Sequence, residues 1–246
     1  MQIRDLTIVP LPNEQCIVTA VDISASIGEK PNDVLQVPPE LTGKMAARVP
    51  LLEVLASGAK IIAINDVVGA EMEPTGKRVI KGIEEEMQLA GLAHLELNGS
   101  TEENMETSQT SVGVTVIGLA NYSDLKVNNV KSDAILFGYG EPRMGEGLVK
   151  KPELEVTYEL IKSLVERDDV LEIVPIGSKG ILYEANLLAR LNDCLFQETA
   201  FCNESLLRKS AGPVTAVIIA VDESQSPTFE QTYPEAYVIG KLKKNQ

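Results

Sequence analysis

Residues 60–68 read KIIAINDVV, an apolar run interrupted by a single polar pair, Asn65-Asp66. Such a run reads as a strand buried on both faces, with the polar pair at its end. A chain built on segments of this kind must fold around sheets and present polar groups where its strands stop. Other strand candidates follow the same plan. Residues 6–10 are closed by Pro10 and Pro12, and residues 15–23 end in Asp22-Ile-Ser-Ala-Ser-Ile-Gly28, where small residues take over. Residues 92–97, 111–120, 133–137, 171–174 and 214–221 complete the set.

Helical stripes lie between the strands. In 39–57, Leu41, Met45, Val49, Leu52 and Leu55 recur at three- and four-residue steps. Pro50 is expected to kink or split that helix, and Gly58 to stop it. In 75–90 the expected N-cap is Thr75, the stripe is Ile80, Ile83 and Met87, and Gly91 ends the helix. Pro152 is expected to open a helix carrying Leu154, Tyr158, Ile161 and Val165. Residues 181–192 form another, after Gly177-Ser-Lys-Gly180. Residues 29–39 and 98–110 read as loops, 121–131 as a polar link between two lobes, and 241–246 as a frayed basic tail. Strands and helices mix throughout and the N-terminal strands look hairpin-like, so the expected class is α+β, or mixed α/β.

Aromatics are 4% of the chain and Trp is absent, so the core must rest on Val, Ile, Leu and Ala. The 246 residues suit one large domain or two small lobes. A net charge of −14 argues against nucleic acid and anionic membranes as partners. A nucleotide remains compatible, because Mg²⁺ bridges phosphates to carboxylates. Cys16, Cys194 and Cys202 fit neither a zinc site nor a disulfide framework and read as reduced, packed thiols of a cytoplasmic protein. A Cys194–Cys202 bridge is the less favoured alternative. The opening MQIRDLTIVPLP lacks the pattern of a signal peptide, and no apolar run approaches the roughly 20 residues that span a bilayer.

Three polar clusters sit at ends of apolar strands: Asp22 with Lys30 and Asp33, then Asn65-Asp66, then Asn98-Gly-Ser-Thr-Glu-Glu-Asn104. Carboxylates from three segments can converge on Mg²⁺, which takes oxygen ligands and clamps a polyphosphate for transfer. Singly, each has a plainer reading: Asp22 or Asp66 as turn former or cap, Glu102-Glu103 as solvated surface, Asn98-Gly99 as a turn. The stretch 138–147, with four glycines and Arg143, suits either close approach to phosphates or a lobe connection. Lys179 suits an anion at a helix start or, slightly better, an exposed turn. His94, the only histidine, lies in a strand candidate and reads as a packed core residue, which disfavours a Ser-His-Asp hydrolase. Neither a G-x-G-x-x-G nor a P-loop motif occurs.

At these residues the chain resembles the aminoimidazole ribonucleotide synthetase (PurM-like) superfamily. The resemblance rests on Val21-Asp22-Ile-Ser, Ile64-Asn65-Asp66, Asn98-Gly-Ser-Thr-Glu-Glu-Asn104 and Gly113-Val-Thr-Val-Ile-Gly118, over roughly the first 120 residues. Gly99-Ser-Thr-Glu-Glu-Asn104 with Gly177-Ser-Lys-Gly180 is most similar to the α-ribazole kinases of cobalamin salvage. The resemblance implies a two-lobed PurM-like fold. Residues 1–125 would be an ATP-binding and dimerisation domain with a mostly antiparallel sheet, and 126–246 a smaller, shortened α/β domain. It implies a homodimeric kinase that uses ATP and Mg²⁺ on the 5′-hydroxyl of α-ribazole. Metal roles would fall to Asp22, Asp33, Asp66, Glu102 and Glu103, with Asp22, Asp66 and Glu102 catalytic. ATP or phosphate contacts would fall to Lys30, Asn98, Gly99, Ser100, Thr101 and Lys179. The usual Gly-Gly-Asp-Thr is here Asn98-Gly-Ser-Thr, and the family's His-Ser-Asn-Gly segment is absent. The alternatives are another ATP-dependent enzyme of the same superfamily, a small-molecule kinase or a cyclo-ligase, or, given the absent segment, a nucleotide-binding homologue without turnover.

Overall fold

The computed structural model describes residues 1–199 and 204–245. The chain forms two compact units, Met1–Val54 with Ala59–Tyr122, and Leu55–Gly58 with Ser123–Gln246. The second is slightly the larger, not the smaller as expected. No described helix is long and apolar enough to cross a membrane.

The first unit carries strands β1 (Gln2–Ile3), β2 (Leu6–Pro10) and β3 (Gln15–Ala25), then the two-residue parallel pair β4 (Ile27–Gly28) and β5 (Leu35–Gln36). Helix α1 (Pro39–Ala56), β6 (Lys60–Val68), α2 (Lys77–Leu89), β7 (Leu97–Thr101) and β8 (Ser111–Asn121) follow. Six strands pair in the order β1-β2-β3-β8-β6-β7, all antiparallel except β6 with β7. Side chains alternate across this sheet. Cys16, Val18, Ala20, Val112, Val114 and Val116 are buried, while Val21 and Ile23 are 63% and 69% exposed. The helices cover the buried face. Val54 of α1 lies over Gly118, and the α1 and α2 backbones approach so closely that a Cβ on Gly43 or Gly82 would fall about 2 Å from a carbonyl oxygen of the other helix.

Several expectations change here. α1 runs through Pro50 as one helix. β6 is not buried on both faces: Ile62 and Val67 are exposed, because only one side of the sheet carries helices. Thr75 does not cap α2; its hydroxyl donates to Glu71, and the helix starts after an irregular turn over Met72–Gly76. Gly91 does end α2, at φ +78° with Leu92 N–H donating to Met87 O. Residues 92–96 then form turns, so His94 is exposed rather than packed. The strand comes later, over Leu97–Thr101, where the free edge of β6 supplies hydrogen-bond partners to a polar sequence.

The second unit holds β9 (Ala134–Tyr139), α3 (Glu146–Lys150), α4 (Tyr158–Val165), β10 (Val170–Pro175), α5 (Gly180–Leu191), β11 (Cys194–Glu198), α6 (Glu204–Leu207), β12 (Val217–Asp222), α7 (Ser226–Thr232) and β13 (Tyr237–Lys244). Its five strands pair in the order β10-β12-β9-β13-β11, antiparallel throughout. Leu136, Val174, Ile181, Leu188, Ile218 and Ile239 are among its fully buried core. α4 starts at Thr157, whose side chain accepts from Leu160 N–H, and not at Pro152. The basic tail is not frayed over its described part: Lys241 and Lys243 lie in β13 and pair with Glu223 and Asp133. Gln246 lies outside the described residues, as does Cys202 and with it the alternative bridge. Cys16 and Cys194 are buried free thiols.

Candidate active site

Strand register places the two interrupting aspartates in one row. Asp22 of β3 pairs with Val114 of β8, and Asp66 of β6 pairs with the same Val114 from the other side. Gly99 of β7 extends the row beyond Asp66. Asp22 and Asp66 thus flank one valine on the helix-covered face, with Cα atoms roughly 10 Å apart, two strand spacings. A register shift in β6 between Ile61 and Ala63 makes this possible. It changes the parity of the strand, so Ile64, Asp66 and Val68 are the buried positions downstream of it. Bulges near functional sites re-aim side chains in this way.

Both carboxylates are perturbed upward. Burial pushes Asp66 from the ordinary 3.8 up to about 6, against a hydrogen bond from its own backbone that lowers it. Burial likewise raises Asp22 to about 6; a hydrogen bond from the Ile23 backbone opposes this and the nearby Asp5 adds to it. Asp66 is 3% exposed, and its Oδ2 has no hydrogen-bond partner among the described residues. A buried carboxylate oxygen without a donor is costly unless a ligand supplies one. Gly99 accommodates this carboxylate, since a Cβ there would stand 2.3 Å from Asp66 Oδ1.

The other expected carboxylates do different work. Asp33 is buried and accepts from Lys30 N–H, Thr110 N–H and the Thr110 hydroxyl, at 2.8, 2.8 and 2.7 Å. Both its oxygens clamp the loop 28–33 to Thr110, which leaves it poorly suited to a metal. Glu102 Oε1 accepts from Asn104 and Met105 N–H, which hold its pKa down, and Glu103 Oε1 accepts from Met72 N–H and the Thr101 hydroxyl. Among the described residues no three His, Cys, Asp or Glu side chains come together as a ready metal cage, so the expected convergence of five carboxylates is not present.

The expected phosphate contacts also separate. Lys30 Nζ donates to Glu71 Oε2 at 2.6 Å and to Thr107 O at 3.0 Å. Glu71 resists the upward push of burial because hydrogen bonds from Lys30 and Thr75 hold it at about 2. Neither Glu71 nor Thr110 stood out in the sequence: their partners lie 41 and 77 residues away, beyond any local pattern. By strand parity Gly99 and Thr101 share the face of Asp66, whereas Asn98 and Ser100 share the opposite face with Asn65 and Val67. In the second unit, Arg143 is buried and donates to Lys151 O, Glu153 O and Glu155 Oε2. Its glycine-rich stretch is therefore a tied connection. Lys179 is exposed, with its ammonium 4.3 Å from the Tyr183 ring centroid.

Residues 4–120 match the family model described as AIR synthase related protein, N-terminal domain. The matched residues all fall within the span of the first unit or of the short Leu55–Gly58 segment, so the similarity is to that domain. The match includes Asp22 and Asp66, which lie inside β3 and β6, residues 98–104 and the Val-rich β8, the segments on which the resemblance rested. No curated protein sequence matches the chain. Three solved structures share the fold of both units. Thiamine monophosphate kinase from Aquifex aeolicus is 12% identical, with a TM-score of 0.68 over 99% of this chain and 90% of that one. A ThiL structure complexed with AMPPCP and TMP is 13% identical, with a TM-score of 0.68 over 98% and 85%. Hydrogenase maturation protein HypE in complex with ATP is 14% identical, with a TM-score of 0.63 over 92% and 77%. At these identities the likeness establishes a PurM-like mixed α/β fold.

Proposed function

We propose that the chain is an ATP-dependent small-molecule kinase, with Asp22 and Asp66 as the anchor for Mg²⁺–ATP. The observation that carries this reading is the orphaned, buried Asp66 carboxylate set in one row with Asp22. Mg²⁺ is commonly held by one or two carboxylates, with water and substrate phosphates filling its remaining positions. A pair of aspartates without a full cage fits that requirement. The metal, when bound, neutralises phosphate charge. Asp66 and Asp22 would hold it from the sheet, and Gly99 leaves room for the Asp66 carboxylate. Asp33, Lys30 and Glu71 keep the neighbouring loops in place. In the reaction the acceptor hydroxyl oxygen bonds to the γ-phosphorus, the β–γ bridging P–O bond breaks, ADP leaves, and the hydroxyl proton passes to a carboxylate or to water. ATP as donor is supported by the nucleotides held in the ThiL and HypE structures. The acceptor, α-ribazole at its 5′-hydroxyl, rests on the likeness of residues 99–104 and 177–180 to the α-ribazole kinases.

The homodimer belongs to the same proposal. Val21, Ile23, Ile62 and Val67 expose an apolar sheet face opposite the aspartates, and a second copy stacked on it would bury that patch. A cytoplasmic location agrees with the reduced thiols.

The test is incubation of purified protein with Mg²⁺–ATP and α-ribazole, with products read by mass spectrometry. The reading expects a phosphate-sized mass gain on α-ribazole matched by ADP, and its loss by at least 100-fold in a folded Asp66→Asn variant. ADP and free phosphate with a new C–N bond would replace it with the cyclo-ligase. ATP bound without ADP release from any acceptor would replace it with a non-catalytic binder.

A further inference from the structure

A cavity of about 280 Å³ opens within the second unit where β9 ends and β13 begins. Tyr139 and Tyr237 wall it, and Glu141, Glu155 and Glu235 supply its charge. Tyr237 is fixed: its hydroxyl donates to Gly140 O at 3.2 Å, and its ring lies so close over Gly138 that a Cβ there would meet it at 2.3 Å. Glu155 is held by the buried Arg143 at 2.6 Å, and Glu141 by Lys151 at 3.0 Å and Lys209 at 3.5 Å. Lys151 also reaches Glu155 at 3.4 Å, so these three cations are all engaged by Glu141 and Glu155. Glu235, at the rim, forms no ion pair among the described residues, and neither does the Tyr139 hydroxyl form a hydrogen bond among them. Burial raises the Tyr139 phenol, and Glu235 and Glu155 raise it further, which places the field of both carboxylates at that ring.

We infer that this cavity is a binding site for a compact organic cation, an alkylammonium or protonated amine head group. With Glu141 and Glu155 already paired, the charge left to meet a ligand is that of Glu235, which attracts a cation, repels an anion and gains nothing from a neutral ligand. Aromatic faces beside a carboxylate are the surroundings in which ammonium groups are recognised. The volume, at the small end of ligand pockets, fits a head group rather than a nucleotide. The site lies wholly in the second unit and stands independently of the phosphoryl-transfer reading.

Calorimetric titration of the intact protein, without nucleotide, tests it with two matched pairs: choline against 3,3-dimethylbutan-1-ol, and benzylammonium against benzyl alcohol. The expected result is saturable binding of at least one cation, at least tenfold tighter than its neutral partner. Glu235→Gln, at an exposed position that does not endanger folding, should weaken it about tenfold. Equal binding of cation and alcohol, absence of saturable cation binding, or an unchanged affinity in Glu235→Gln would overturn the inference.

Discussion

On either side of Val114 the sheet carries an aspartate whose pKa is raised to about 6 from the ordinary 3.8. A raised carboxylate favours the folded state when protonated. Its contribution is present below pH 3.8 and is lost as pH rises through 6. At about 1.4 kcal/mol per unit, each aspartate costs on the order of 3 kcal/mol of stability at neutral pH. Asp22→Asn should therefore raise the melting temperature at pH 8 and change it little at pH 4. An equal shift at both values would remove the ionised aspartate as the cause. On the proposed reading, Mg²⁺ with nucleotide should stabilise the wild type more at pH 8 than at pH 5, since a carboxylate takes a metal in its ionised form. Gly99 makes a sharper point at the same scale. Gly99→Ala forces a Cβ to 2.3 Å from the Asp66 carboxylate, with cost expected at about 1–3 kcal/mol and Mg²⁺-dependent nucleotide affinity falling at least tenfold. Gly147→Ala, where nothing lies within 4 Å, is the control in thermal and binding titrations.

Among the elements, β6 shows most clearly why a continuous apolar run hides its own orientation. KIIAINDVV has no alternation to read, so the bulge after Ile61 leaves no mark in the sequence, yet it turns Asp66 toward the helices. β7 shows the converse: Asn98-Gly-Ser-Thr is a loop by composition and a strand by the partner β6 offers. The segment 28–33 depends on Asp33 rather than on its own turns. Asp33→Ala removes three hydrogen bonds made by a buried carboxylate and should cost about 3 kcal/mol in urea unfolding. Its effect on Mg²⁺ affinity should be no larger than that loss of folding explains. A selective loss of metal binding in a fully stable protein would return Asp33 to the metal.

For the whole molecule, the question raised by the first unit is what covers Val21, Ile23 and Val67. The proposed second copy makes a definite forecast. Ile23→Lys should convert a dimer to a monomer in analytical ultracentrifugation, with the circular dichroism spectrum unchanged. A wild type that sediments as a monomer would remove the dimer while leaving the kinase reading to its own assay. The division into two units near residue 122 follows the polar stretch after β8, although Leu55–Gly58 clusters with the second unit.

The class of fold, the position of most strands and the breaks that Asp22 and Asp66 make in their apolar runs were legible in the chain, because side-chain periodicity and a charge inside an apolar run are local signals. Orientation and partnership were not. Strand parity splits Asn98 and Ser100 from Gly99 and Thr101. Asp33 and Lys30 are claimed by Thr110 and Glu71 from distant segments. These outcomes depend on which backbones lie side by side and which buried groups must find a donor, and contacts made across 40 to 80 residues leave no imprint on the neighbours in sequence.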